Sequence, residues 1–274
     1  MAAKNDKPYV DVGSAVFKNK YPRPKQSANT LFNFMKKQIY LKQILQHRAI
    51  IPRYVNEDIS YLGISEKTVS IPMTCFCDIS IPRIEEHTKI YGRYGIAFYK
   101  DWCISRKIQP IHYINPDSGI QHDFLNAFSQ AERYSGNDEV VDVIQSYLLS
   151  HLMYMKPLYG ESHFSNKVGQ NFHDEREWRY VPTISEIDTE LPPLLYGKLN
   201  NNTSRDSHNL GLTKCKAAWL SFNWSDIKYI LVPNEKAKKS LVSHIISSFV
   251  SAEIDEKYDL LTKLVKLDEM KEDV

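Results

Sequence analysis

From Glu175 to Tyr180 the chain reads Glu-Arg-Glu-Trp-Arg-Tyr, placing two carboxylates, two guanidiniums and two large aromatic rings in six residues. The aromatic and β-branched content from Trp178 to Val181 is that of a strand. Side chains on a strand alternate between its faces. Glu175, Glu177 and Arg179 are therefore expected on one face, and Arg176, Trp178 and Tyr180 on the other. Two acids on one face repel and are costly to bury unless paired. A fold that accepts this strand must answer for those charges in one of two ways. One is a site that stabilises a developing positive charge. The other is a salt-bridged edge strand in which Arg179 neutralises Glu177.

The rest of the chain mixes strands and helices without strict alternation, which is the pattern of an α+β fold. Leu31–Phe34 reads as a short strand feeding a helix that runs mostly from Lys37 to Leu45, with Pro52 closing the unit. Val69–Ile79 alternates like a strand, and Ile81–Tyr91 reads as a helix with Pro82 in its first turn. Gly95–Tyr99 is a buried strand, residues 101–106 a short helix, and Pro110–Ile114 another strand. Helices follow near 121–134 and 138–155. Tyr159–Phe172 reads as a loop. Asn200–Asn209, dense in Asn, Ser and Asp, reads as a mobile loop. Ile227–Val232 is a late strand, and Asn234 caps a helix over about 235–250. The tail spaces Ile254, Tyr258, Leu261, Leu264 and Val265 at helical intervals, an apolar stripe that can pack on its own domain or dock a partner. The division that results is a basic arm over 1–28, one α+β domain over 29–250 and an amphipathic C-terminal helix over 251–274.

At 274 residues, 42% of them hydrophobic and 25% charged, the chain can bury a core without disulfides or metal. No apolar run reaches membrane-spanning length, and the first residues lack the apolar core of a secretory signal. The expected compartment is therefore the cytoplasm, with no membrane partner. The four cysteines contain one close pair, Cys75 and Cys77. With no second pair, a zinc site is not expected, and reduced, mostly buried thiols are. A net charge of +2 hides an asymmetry. Residues 1–30 carry six bases against two acids, a net of +4, and residues 251–274 carry eight acids against four bases, a net of −4. A basic arm can favour a phosphate-rich partner. No Gly-x-Gly-x-x-Gly, Walker loop or Gly-x-Ser-x-Gly elbow is present.

Four segments hold more polar and aromatic residues than packing requires: Asn33 with Pro52-Arg53-Tyr54, Thr74–Asp78, Tyr91–Gly95, and Glu175–Tyr180. Together they offer an anion-binding arginine, stacking rings and an acid, which suits a ligand with a planar ring and a pyrophosphate. Tyr91 and Tyr94 can equally be half-buried amphipathic side chains.

These segments, with Ile71-Pro-Met-Thr-Cys-Phe-Cys-Asp-Ile79, His87, Tyr91-Gly-Arg-Tyr-Gly-Ile96 and Ile227–Pro233, resemble the AbiGi family of abortive-infection proteins over roughly residues 30–235. The resemblance implies a place in a bacterial toxin–antitoxin or phage-defence operon, where members are often labelled antitoxins. A broader resemblance is to ADP-ribosyltransferases, whose split mixed sheet, flanked by helices, clamps NAD. It implies NAD as co-substrate, no metal, and Glu177 as the catalytic carboxylate of a Glu-x-Glu pair whose other member, Glu175, contacts the acceptor. Asn33, Arg53, Tyr54, Tyr91 and Tyr94 then become the cofactor-binding residues, Arg53 on the phosphates and Tyr91 or Tyr94 on nicotinamide. Asn33 stands where related sequences tend to show His, and an amide can bond a ribose hydroxyl but cannot be cationic. Cleavage of the nicotinamide–ribose bond creates an oxocarbenium-like centre, which a fixed carboxylate stabilises.

The expectation that follows is an NAD-dependent mono-ADP-ribosyltransferase serving as the toxin of an anti-phage pair and restrained by a cognate antitoxin. Its acceptor would be RNA or another nucleic acid, or a protein. The alternative is a non-enzymatic antitoxin or regulatory partner of a toxin, in which the same residues are structural. An NAD glycohydrolase without a macromolecular acceptor is a third reading.

Overall fold

A computed structural model describes residues 28–134, 139–160, 169–249 and 252–269. The expected basic arm lies outside these residues, apart from Ala28. Eight strands make one mixed sheet: β1 (Thr30–Met35), β2 (Arg53–Asp58), β3 (Thr68–Cys77), β4 (Tyr94–Tyr99), β5 (Gln109–Pro110), β6 (Glu177–Tyr180), β7 (Ile227–Val232) and β8 (Leu264–Lys266). Their order is β8-β7-β4-β1-β3-β6-β5, with β2 joined to β3 off that path. The pairs are antiparallel except β7 with β8.

The sheet is split in its middle. β1 pairs with β4 along its whole length, Thr30 opposite Tyr99 through Met35 opposite Tyr94. On its other edge it meets β3 only at Phe32 opposite Cys77. β3 spends Thr68–Met73 on β2 and Thr74–Cys77 on β6. From Cys77 back toward Thr74, β1 and β3 part. There the Asn33 side-chain amide donates to the Cys75 carbonyl at 2.8 Å, filling the place of a ladder bond.

The helices are α1 (Gln38–His47), α2 (Ile84–Tyr91), α3 (Lys100–Ser105), α4 (Gly119–Arg133), α5 (Glu139–Leu152), α6 (Asn202–Lys214), α7 (Glu235–Ser248) and α8 (Ile254–Thr262). Leu41 and Leu45 of α1, Leu241 and Ile245 of α7 and Leu260 of α8 share one core with Leu31, Ile96, Phe98 and Ile230 of the sheet. α2 covers the other face, where Ile84 meets Phe32, Ala97 and Leu231. α4 and α5 pack Phe124, Ala131, Leu148 and Leu152 onto Val69, Ile71 and Met73. α7 shows why such segments become helices. Asn234 accepts from the Ala237 amide, and Ala237, Leu241 and Ile245 recur every four residues on its buried face;. Among the described residues no helix is long and apolar enough to cross a membrane.

Three stretches differ from the sequence reading. Asn200–Asn209 is not a loop: Asn201 caps α6 by accepting from Ser204 N at 2.9 Å, and polar residues otherwise suited to turns follow as an exposed helix;. Arg53–Asp58, which the sequence reading did not assign as a strand, is β2. The tail helix ends at Thr262, because Leu264–Lys266 pair with Ile230–Val232 as the terminal strand. Of the 251–274 segment, the described residues 252–269 are built into the sheet of the preceding domain, with Leu260 and Leu264 buried and Tyr258 exposed.

Leu260→Ala should therefore lower stability by about 2–5 kcal/mol, the usual cost of emptying a filled core site. Tyr258→Ala should stay within about 0.5 kcal/mol of the parent. Paired denaturant melts read both.

Candidate functional site

Where β1 and β3 part, a cavity of about 310 Å³ opens. β1 contributes Asn33 to its wall, and β2 contributes Arg53, Val55 and Glu57. α2 adds His87 and Tyr91, and the opposite side carries Lys156, Glu175 and Glu177. Alternation along β2 explains the choice of residues: Arg53, Val55 and Glu57 share one face, and Tyr54 turns to the other.

Five charged groups interlock on the cavity floor. Arg179 is fully buried. Its Nε donates to Glu177 Oε1 at 2.6 Å, one terminal nitrogen to Glu57 Oε2 at 2.7 Å, and the other to the Met153 carbonyl at 2.8 Å. Lys156 Nζ bridges Glu175 Oε2 at 2.7 Å and Glu177 Oε2 at 2.9 Å. Glu175 Oε1 also accepts from the Tyr91 hydroxyl at 2.6 Å and the Gln170 amide at 2.8 Å. Three carboxylates against two cations leave the cluster formally one negative charge in excess.

The two acids come together differently from the expectation of one strand face. Phe172–Glu175 is a tight 3₁₀ turn, and Arg176 follows in the left-handed region at φ 44°. Only Glu177 lies on β6. The left-handed residue reverses the local chain direction enough for both carboxylates to reach Lys156. The Arg176 carbonyl accepts from Asp78 N at 3.0 Å, which holds the turn against the end of β3.

The electrostatics follow from burial and neighbours. Burial pushes the Glu177 carboxyl up, but Arg179 and Lys156 outweigh it and hold the group well below the usual carboxylate range. Burial opposes the charge on Lys156 as well, and Glu177, Glu57 and Glu175 keep it protonated. The Tyr91 hydroxyl is pushed up by burial and then by Glu175, so it remains a donor. His87, its ring 4.4 Å from that of Tyr91 and 5.5 Å from that of Phe34, is lowered to about 4, chiefly by burial. The floor thus presents the ionised Glu177 beside a neutral imidazole and a phenol.

A second cavity of about 860 Å³ shares Phe34, Arg53 and Tyr91 with the first and extends along α1 past Lys36, Lys37 and His47. Arg53 stands at the junction. Among the described residues its side chain has no hydrogen-bond or ion-pair partner. The described residues place no group of three His, Cys, Asp or Glu side chains so as to hold a metal ion.

Of the residues singled out in the sequence, Asn33, Arg53, Tyr91, Glu175 and Glu177 line one cavity. Tyr54 and Tyr94 do not. The Tyr54 hydroxyl donates to the Pro192 carbonyl, and its backbone amide donates to Asn209 Oδ1 at 2.8 Å, on the far face of β2. Tyr94 packs against the core beneath α1 and α7. Neither ring borders the cavity, so neither is placed to touch a ligand there. Lys156 and Glu57 were missed. Lys156 lies in the short strand Met155–Pro157, where no motif marks it. Glu57 was legible from the period-two spacing with Arg53, had that segment been read as a strand.

Glu177→Gln should cost about 3–5 kcal/mol, because it leaves buried Arg179 and Lys156 undercompensated. A fall in denaturant midpoint at unchanged slope would show it; an unchanged midpoint would refute the pairing. His87 gives a separate pH signature. Its folded pKa lies below its unfolded value of 6.5, so the unfolded state binds more protons between pH 6.5 and about 4;. Stability should fall as pH falls through that window, by about 3 kcal/mol in total. His87→Phe should flatten this limb, whereas equal slopes in both proteins would contradict it. Below about pH 4.5 the depressed Glu177 adds a further loss in both proteins, since stability from a lowered carboxyl is present above its unfolded value and disappears beneath it;.

Comparison with known proteins places this geometry in a biological setting. Residues 48–233 match the family model described as "Putative abortive phage resistance protein AbiGi, antitoxin". A curated relative, the abortive phage resistance protein AbiGi of Lactococcus lactis subsp. cremoris, is 35% identical over 249 residues, covering 82% of this chain and 99% of the relative. No solved structure matches. The matched stretch of the family model runs from the end of α1 to the end of β7, and so takes in β2, β3, β6 and every charged residue of the cavity floor. The chain belongs to the AbiGi family of abortive phage resistance proteins.

Proposed function

We propose that this protein is the antitoxin of an abortive phage-resistance pair and restrains a toxin by binding it, without chemistry at the cleft. The observation that carries this reading is the state of Glu177. Each of its carboxylate oxygens is already held by a buried or nearly buried cation, Oε1 by Arg179 and Oε2 by Lys156. A carboxylate so engaged locks the sheet and has little capacity left for a reacting atom. The family description, which names an antitoxin, points the same way.

A second reading rests on a different observation. Five residues from β1, β2, α2, the 3₁₀ turn and β6 converge on one cavity at the split of the sheet. That supports an NAD-dependent mono-ADP-ribosyltransferase with a nucleic acid, such as RNA, or a protein as acceptor. NAD fits the residues in outline. Arg53, with no side-chain partner among the described residues, would hold phosphate, the Tyr91 ring would flank the planar group, and the larger cavity has room for the remainder of a dinucleotide. In that reading Glu177 stabilises the positive charge that develops as nicotinamide leaves.

Expression in a bacterium separates the two. The antitoxin reading predicts that the chain alone leaves growth unaffected. It also predicts that the wild type and the exposed-residue variant Arg53→Ala rescue growth equally when co-expressed with the product of the neighbouring gene. Toxicity of the chain alone would favour the transferase. So would nicotinamide release from NAD that Glu177→Gln lowers by about 10² to 10³, measured where both proteins are folded.

A further inference from the structure

We infer that the outward face of α5 is the surface on which this antitoxin meets its toxin, and that the toxin presents an apolar groove rimmed by lysine or arginine. The inference rests on the antitoxin reading and names its contact surface. Residues 139–152 read Glu-Val-Val-Asp-Val-Ile-Gln-Ser-Tyr-Leu-Leu-Ser-His-Leu, an apolar segment by composition. Yet the fold buries only Leu148 and Leu152 of it. Val140, Val143, Ile144 and Tyr147 are 65%, 68%, 42% and 59% exposed. Their spacing of i, i+3, i+4 and i+7 puts them in one stripe over two turns of helix. A contiguous apolar stripe facing water marks an interaction site, whereas single exposed apolar residues do not. The stripe has the form of a helix that docks into a groove.

Charge narrows the occupant. α5 carries Glu139 and Asp142 and no lysine or arginine, a net of −2 within a chain of net +2. Two copies of this face meeting about a twofold axis would set acid against acid. A partner with a basic rim would be steered onto it. The helix is also anchored for the task. Gln145 donates to the Ala131 carbonyl at 2.7 Å, and Met153, one residue past the helix, accepts from buried Arg179. A helix already held in place loses little freedom on docking.

The test uses the full chain with the product of its neighbouring gene as probe, measuring affinity by calorimetry and neutralisation by growth rescue. Val143→Glu with Ile144→Gln should weaken binding about thirtyfold or more, as expected for the centre of an interface. Its melting temperature should stay near that of the parent, because neither side chain is buried. Glu139→Lys with Asp142→Lys should slow association and weaken its dependence on salt. The control Ile254→Glu, at an exposed position of α8, should change nothing. Binding by the stripe variant within about threefold of wild type would overturn the surface alone. So would self-association of the wild type that the stripe variant abolishes, which would give the face to a second copy. Hydrogen-exchange protection of residues 139–147 that vanishes on deleting residues 1–27 would give it to the chain's own basic arm. If the wild type neither binds nor neutralises the probe, the antitoxin reading itself fails and the proposal falls with it.

Discussion

A guanidinium with no access to water sits where β2, β3 and β6 come together, and the rest of the cleft is arranged around it. Arg179 holds Glu177 on its own strand, Glu57 on β2 and the Met153 carbonyl beyond α5. A charge taken out of water that far is tolerated only when every donor has an acceptor. Three of its nitrogens find theirs on three separate segments of chain, so the arginine fixes the relative positions of those segments. Lys156 extends the arrangement to Glu175, and through Glu175 to Tyr91 on α2. Core packing by Phe76, Ile96 and Phe98 makes the sheet stable. The charge cluster decides which edges of it stand apart.

The split between β1 and β3 is the structural consequence that matters for function. A sheet of this size would ordinarily zip its central strands along their length. Here β3 is shared, its first part with β2 and its last part with β6, so β1 keeps only one residue pair with it. The resulting cavity has an acidic floor, an aromatic wall and, at its mouth, Arg53, whose side chain has no hydrogen-bond or ion-pair partner among the described residues. Glu177 is fully engaged by Arg179 and Lys156, which makes the cluster a lock on the sheet in the antitoxin reading proposed above. The convergence of Asn33, Arg53, Tyr91, Glu175 and Glu177 keeps a nucleotide-shaped ligand chemically sensible.

Much of the fold was legible because local signals agreed with tertiary demands. β3, β4 and β7 are apolar runs that the sheet buries almost throughout, α7 repeats its buried residues every four, and Asn234 announces the start of its helix. Five of the seven candidate site residues lie where one cavity could gather them. The failures have physical causes. Arg53 and Tyr54 cannot both line the cleft, because neighbours on a strand face opposite ways. Glu175 reached the site through a left-handed turn at Arg176, which a non-glycine residue does not advertise;. Lys156 lies in a three-residue strand with no pattern, and its role comes only from acids distant in sequence. The tail looked like one helix because Leu261, Leu264 and Val265 keep helical spacing, but pairing with β7 claims the last two for a strand. Exposure of the α5 stripe could not be read at all, since an apolar helix normally signals burial.

The central claim is that Arg179 couples β2 to β6 through buried charge. A double-mutant cycle of Glu57→Gln and Arg179→Met, followed by denaturant unfolding, tests it most directly. The account predicts a coupling energy of at least about 1.5 kcal/mol, in the range of charged hydrogen bonds between buried partners. Effects that add to within about 0.5 kcal/mol would contradict it, because independent sites are additive to that degree and these two side chains would then not depend on each other.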